Sequence, residues 1–504
     1  MIETRREKTR NERAGWRRVL ANQAKEFCLS TGLHGYKYIA QSHLTVSLCC
    51  AIVLMHIAWE YNASHPTLTV IESTHHGIWN YLFPAVTVCD LNRVSLNQTR
   101  ELVSVLKIPN NDSQEDLVAE MVFLNELLDP GIFGRDVSEN LTRLQDLFEF
   151  NNLTIPIVMQ LVTRNCSEMM VRCKWKGDIK LCNSIFESSL TRDGLCCSFN
   201  YVGVTSHEGT YSRIKSDTKS CPKNGREPRR VTACGYQTGL TVLINPAVED
   251  YHAAVLGAYG VKVMLHDPYD FPDRNAENKL IGIGTEVFVS VTPVVTYSTD
   301  DVRSLPISKR NCIFSDEWLD FRASTRRYSY HNCLAVCRLR TIFEKCGCIP
   351  YYHEDLHPRD LNRSESGKYL YFFLKTTESS PRPCGCIPDC DFLRYSLESS
   401  AGIFDPMPLP IFRNSNSIQI YQLSVFSDKV LVKNHSVLHV FFSDLVSTQY
   451  RRDVYYNWHN LFASFGGLLG LFAGFSLMSG FELIYFFSIR LIADLCTGGK
   501  KGRM

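Results

Sequence analysis

The chain has 504 residues, with 54 Lys and Arg against 52 Asp and Glu and a formal net charge of +2. That balance excludes a nucleic-acid face built on bulk charge, which would need a large basic excess or a local stripe. A mean hydropathy of −0.12 excludes a polytopic transporter, because most residues must meet water, while the length is ample for a buried core.

Residues 1–38 are basic, with Arg5, Arg6, Lys8, Arg10, Arg13, Arg17, Arg18, Lys25 and Lys37. They suit a cytoplasmic segment that can also meet anionic membrane lipid. Residues 39–59 then contain no Asp, Glu, Lys or Arg, about the length that crosses a ~30 Å hydrocarbon core. No small-residue cleavage site follows, so 39–60 reads as a first transmembrane helix that anchors the chain. His56 within it faces either the helix bundle or the outer interface.

Positive-inside bias, with Lys500, Lys501 and Arg503 in the tail, puts both termini in the cytoplasm and 61–455 outside. Sixteen of the 20 cysteines fall between Cys89 and Cys390, which suits an oxidising compartment. Eight N-glycosylation sequons lie on the same side, at Asn62, Asn97, Asn111, Asn140, Asn152, Asn165, Asn362 and Asn434. Within 61–455 the patterns predict strands over 239–245, 286–298 and 429–443 and helices over 113–128 and 332–345. No repeat or Pro/Gly-rich linker interrupts this region, so it reads as one interlocked α+β unit.

Cys333-x3-Cys337 places two thiols one turn apart on a helix, and Cys384-x-Cys386-x3-Cys390 on an extended segment can meet them. Zinc is the competing reading of a CxC pair; the extracellular setting and the missing His-x3–5-His partner count against it.

The second apolar run, 461–487, has Glu482 as its single charge. Gly466, Gly470 and Gly474 recur every four residues, with Ala463, Gly467, Ser476 and Gly480 nearby. Small residues at this spacing let helices pack closely, which is the plain structural reading. Length, and a glycine cost of ~1 kcal/mol each in helix, instead predict a break around Gly474-Phe475-Ser476. Carbonyls exposed there need protein or water beside them and can replace part of a cation's hydration shell. Glu482, costly in lipid unless it faces water or a partner, fits an inner mouth. One such helix cannot enclose a pore, so the chain must oligomerise.

Taken in order, six features carry a resemblance: Ser30-Thr31-Gly32-Leu33-His34-Gly35, Phe83-Pro84-Ala85-Val86-Thr87-Val88-Cys89, Cys196-Cys197-Ser198-Phe199-Asn200, His266-Asp267-Pro268, the cysteine array from Cys333 to Cys390, and Gly474-Phe475-Ser476. Over nearly the whole chain the pattern resembles the degenerin/epithelial sodium channel family, most closely its insect pickpocket branch. The resemblance implies a two-pass plasma-membrane protein with two transmembrane helices and a large disulfide-rich α+β ectodomain of palm, β-ball, knuckle, finger and thumb. It implies a homo- or heterotrimer of related subunits conducting sodium without voltage dependence, sensitive to amiloride, with no cofactor, resident metal or enzymatic activity. Its boundaries would be 1–38 cytoplasmic, 39–60 first helix, 61–455 extracellular, 456–488 second helix and pore, and 489–504 cytoplasmic tail.

Residue by residue, the family pattern makes His34 and Gly35 a gating motif and Gly474, Phe475 and Ser476 the selectivity filter. It makes Ala463 the position where bulk holds the channel open, and it lines the pore and inner mouth with Gly466, Gly467, Gly470 and Glu482. It pairs Cys89 with Cys196, Cys166 with Cys173, Cys312 with Cys390, Cys333 with Cys386 and Cys337 with Cys384. One departure stands out: residues 349–383 contain no cysteine, so Cys346 and Cys348 lack their usual partners. The alternative function is a non-conducting regulatory subunit or cell-surface receptor on the same scaffold. An anchored enzyme is disfavoured by the lack of HExxH, G-x-S-x-G or paired-carboxylate motifs.

Overall fold

The computed structural model describes residue 25 and residues 43–109, 113–127, 135–203, 227–273, 276–317, 327–347, 349–353, 385–404, 434–455, 458–473, 476–490 and 492. It divides into two compact units. One comprises Met1–Thr69, Thr299–Arg310 and Arg452–Met504, the other Val70–Ser298 and Asn311–Arg451. The predicted ectodomain therefore supplies the whole of the second unit, while 61–69, 299–310 and 452–455 group with the chain ends.

In the first unit, helix α1 (His43–Ser64) packs against α7 (Trp458–Ala473), which is followed by α8 (Leu477–Ile484) and a π-helical turn, Tyr485–Arg490. Tyr61 meets Tyr455 edge-on at 5.5 Å, and the Tyr455 amide donates to the Pro66 carbonyl at 2.9 Å. Residues 39–42 of the first expected span lie outside the described residues. Among the described residues no helix is long and apolar enough to cross a membrane.

The second unit is built on two sheets. The larger follows the order β1 (Thr67–Gly77), β15 (Val446–Val454), β12 (Thr285–Ser298), β14 (Ser436–Phe442), β8 (Leu240–Ile244), β4 (Met170–Trp175), β5 (Asp178–Lys180), with β13 (Phe392–Ile403) also paired to β12. The smaller runs β11 (Glu277–Gly282), β10 (Gly260–His266), β2 (Ala85–Asp90), β7 (Gly194–Phe199), β6 (Phe186–Thr191). Strands β2 and β8 are buried on both faces, so their apolar runs are continuous rather than alternating. The two sheets share one core, in which the Phe83 ring packs edge-on against Trp175 at 4.9 Å and Phe442 at 5.3 Å.

Four helices, α2 (Leu96–Val105), α3 (Gln114–Glu120), α4 (Arg135–Phe150) and α5 (Ile155–Val162), form a second core around Leu102, Met121, Leu144 and Phe148. Beside it β3 (Asn92–Ser95) pairs with β9 (Tyr251–Ala254). The helix expected over 113–128 is shorter than its pattern: α3 stops at Glu120 and Met121–Leu127 continues as a 3-10 helix. The helix expected at 332–345 is α6, Tyr330–Cys346. Of the strand expected at 429–443, β14 covers the C-terminal half, and 429–433 lies outside the described residues.

Five disulfides are present among the described residues: Cys89–Cys196, Cys166–Cys197, Cys173–Cys182, Cys312–Cys390 and Cys333–Cys386. The expected Cys166–Cys173 bond is a correction. Across the β4–β5 hairpin Cys173 faces Lys180, so Cys182, two residues on, returns within 5.3 Å Cα to Cα. Cys196 and Cys197 are successive on β7 and point to opposite faces. One therefore reaches Cys89 on β2 and the other reaches Cys166. Cys337 is also disulfide-bonded; its expected partner Cys384, like Cys348, lies outside the described residues.

Candidate functional site

Two places bring together the residues that the sequence marks. The first is the run from α7 to α8. Gly466 and Gly467 are exposed on α7, and a Cβ added at either would meet no atom within 4 Å. Gly470 is half-buried and Ala463 exposed on the same helix. Helix α7 ends at Ala473 and α8 begins at Leu477. Ser476 sits exposed before α8, and its carbonyl accepts the Gly480 amide at 3.1 Å. Glu482 lies half-buried within α8. Gly474, Phe475, His34 and Gly35 lie outside the described residues.

The second place lies in the larger unit, where three landmarks far apart in sequence meet. Thr87 of the Phe83–Cys89 run shares hydrogen bonds with Ser198 at 2.8 Å and with His266 Nε2 at 2.9 Å. Asn200 reaches back to the Phe83 carbonyl at 2.5 Å. All three hydroxyl or imidazole groups at this junction are buried, so each needs the partner the others supply. Burial holds the His266 imidazole neutral, its pKa lowered to about 4.

The turn that follows His266 opens into a cavity of about 730 Å³. Its walls come from this turn, β12, the start of α6 and the residues leading into β13. Ser329 caps α6 by accepting the Asn332 amide at 3.1 Å and donates its own hydroxyl to Asp270 at 2.5 Å. Asp389 accepts the Tyr330 amide at 3.0 Å, so two carboxyl groups sit at the positive end of the helix. Asn332, fully buried, accepts the Phe271 amide at 2.8 Å and donates to the carbonyls of Tyr269 and Arg327. Arg338 of the same helix pairs with Asp273.

These acids crowd one another. Burial, reinforced by the charge of Asp267, pushes the Asp270 carboxyl up to about 8 despite the Ser329 hydrogen bond. Burial likewise raises Asp389 to about 6 against the pull of the Tyr330 amide. Asp267 is raised by burial too, with Arg327 acting the other way. The Arg327 guanidinium lies 5.3 Å from the Tyr269 ring. The raised carboxyls of Asp270 and Asp389 are the groups that receive the Ser329 hydroxyl and the Tyr330 amide, so their protonation is tied to the start of α6. Sequence reasoning marked His266-Asp267-Pro268 as a landmark but missed Asp270, Ser329, Asn332 and Asp389 as partners. The one available signal was three acids within seven residues, Asp267, Asp270 and Asp273. Among the described residues no group of His, Cys, Asp and Glu is arranged to hold a metal ion.

Comparison with known proteins follows the same path along the chain. The family described as amiloride-sensitive sodium channel matches residues 27–486. The sodium channel protein Nach of Drosophila melanogaster is 26% identical, over 92% of this chain and 87% of its own length. Pickpocket protein 28 of Drosophila melanogaster is 24% identical over 91% and 77%. Acid-sensing ion channel 1A of Danio rerio is 24% identical over 94% and 89%.

Proposed function

The chain belongs to the amiloride-sensitive sodium channel family, and on that premise we propose that it is a pore-forming subunit. It is an ion-channel protein and not an enzyme, sodium is the ion it passes, and no cofactor is needed. In the proposal 39–60 and 456–488 cross the plasma membrane, both termini are cytoplasmic and the α+β region between them is outside. Three subunits, identical or related, enclose the pore.

The observation that carries this reading is the unfilled glycine side of α7 beside the interruption at Ser476. A single chain leaves Gly466 and Gly467 facing open space, which suits a neighbouring helix in close approach. Ser476, outside helical structure just before α8 begins at Leu477, suits backbone carbonyls turned toward a water-filled path. Gly474, Phe475 and Ser476 form the filter, His34 and Gly35 the cytoplasmic gating motif, and Ala463 the position whose size sets the gate.

The stimulus in this proposal is sensory, mechanical or chemical. The carboxyl cluster at the start of α6 favours a chemical one, external pH. Expression alone in oocytes, with sodium replacement, amiloride and steps of external pH, tests the whole reading. Sodium-dependent, amiloride-blocked current is the expected result. No current even with a bulky residue at Ala463 would favour the second reading, a non-conducting subunit that tunes related channels.

A further inference from the structure

Helix α5 carries apolar residues on both sides, with exposed Gln160 its one polar residue. Val158, Met159 and Val162 belong to the helical core, yet Ile157 and Leu161, one turn apart, remain 44% and 43% exposed. Phe150, which ends the preceding helix, is 58% exposed. Single exposed apolar residues are ordinary, but a helix this apolar is normally covered on most of its surface.

Two sequons bracket it. Asn152-Leu153-Thr154 precedes α5 and Asn165-Cys166-Ser167 follows it, and both asparagines are exposed. Neither sequon is committed to holding a helix end. Thr154 is the N-cap of α5 and Asn165 the N-cap of the next short helix, and neither makes a side-chain capping bond. Asn152 stands at φ 55°, a conformation that asparagine tolerates better than most residues. The eight residues of α5 span roughly 12 Å, so a bulky, solubilising group at each end reaches across the exposed side.

We propose that Asn152 and Asn165 carry N-linked glycans and that these, rather than protein, cover the outer face of α5. This rests on the reading of 61–455 as extracellular. In the transfer, Nδ2 of each asparagine bonds to the anomeric carbon of an oligosaccharide carried on a lipid diphosphate. The sugar's bond to the diphosphate oxygen breaks, the diphosphate lipid leaves with the electron pair, and the amide gives up one proton.

The full-length chain expressed in cells supplies the test. Mass spectrometry after enzymatic deglycosylation reads occupancy, because an occupied asparagine becomes aspartate. The variant Thr154→Ala with Ser167→Ala removes both sequons, breaks no side-chain capping bond of α5 and leaves Asn152 and the Cys166–Cys197 bond in place. Both sites are expected to be occupied, and the double variant is expected to lose surface delivery several-fold by biotinylation. Adding Ile157→Ser and Leu161→Ser to that variant should restore delivery, which a merely misfolded chain would not show. Wild-type delivery of the double variant, or failure of the serine pair to rescue it, overturns the proposal. So do glycans at other sequons with Asn152 or Asn165 empty, an outcome that assigns the face to a protein partner. A chain with no glycan anywhere instead overturns the extracellular reading itself.

Discussion

Asp270 has its carboxyl against the Ser329 hydroxyl, in a buried setting shared with Asp267 and Asp389. Its folded value of about 8 lies above the ~3.9 of an unfolded chain, so the folded state holds the extra proton between those values. Its contribution to stability is complete below about pH 4 and is lost as pH rises through about 8. Asp389 acts in the same direction but finishes near its value of about 6. His266, lowered to about 4, acts oppositely: its contribution is present above the ordinary ~6.5 and is lost as pH falls toward 4. Above pH 6.5 Asp270 is therefore the one of the three still titrating. The melting temperature of the solubilised chain should fall from pH 6.5 to 8.5, and Asp270→Asn, which keeps an acceptor for Ser329, should flatten that slope. An unchanged slope would place the titration elsewhere.

Among the elements, the strand contacts and disulfides make the sharpest predictions. Gly239, just before β8, lies so close to β14 that an added Cβ would sit 2.1 Å from the Val440 carbonyl oxygen. Both sides of that contact are backbone and cannot give way by a side-chain rotation. Gly239→Ala should cost about 1–3 kcal/mol, read as a lower melting temperature with the same disulfides. Non-reducing peptide mapping should find Cys166 joined to Cys197 and Cys173 to Cys182. A Cys166–Cys173 peptide would refute the register of the β4–β5 hairpin. Helix α6 shows how much of an element was legible: its periodicity, the Ser329 cap and Gly347 at its end, at φ 67°, are all local signals. Cys166 shows the limit. Its partner is set by the turn of one hairpin and by which way Cys197 points, and neither is visible in spacing.

Taken whole, the chain makes its prediction through the pore. Replacing Ser476 with a bulky residue should shift the sodium-over-potassium permeability ratio or abolish current, measured by reversal potentials with each ion outside. Unchanged reversal potentials would remove Ser476 from the filter. Glu482→Gln should lower single-channel conductance several-fold, because a ring of carboxylates concentrates cations at the mouth; an unaffected conductance would leave Glu482 a packing residue.

The sequence by itself determined the class of this protein. Family landmarks in order, strands at β8 and β12 and the helix α6 are all carried by local composition, period and motif, which act over a few residues. Only the tertiary structure decided that Thr87, Ser198 and His266 form one buried junction and that Cys166 pairs with Cys197. It also decided that the acids of the turn after His266 hold the start of α6. Those outcomes depend on which strands pair and in which register. Pairing brings together residues over a hundred positions apart, and no short-range signal encodes it.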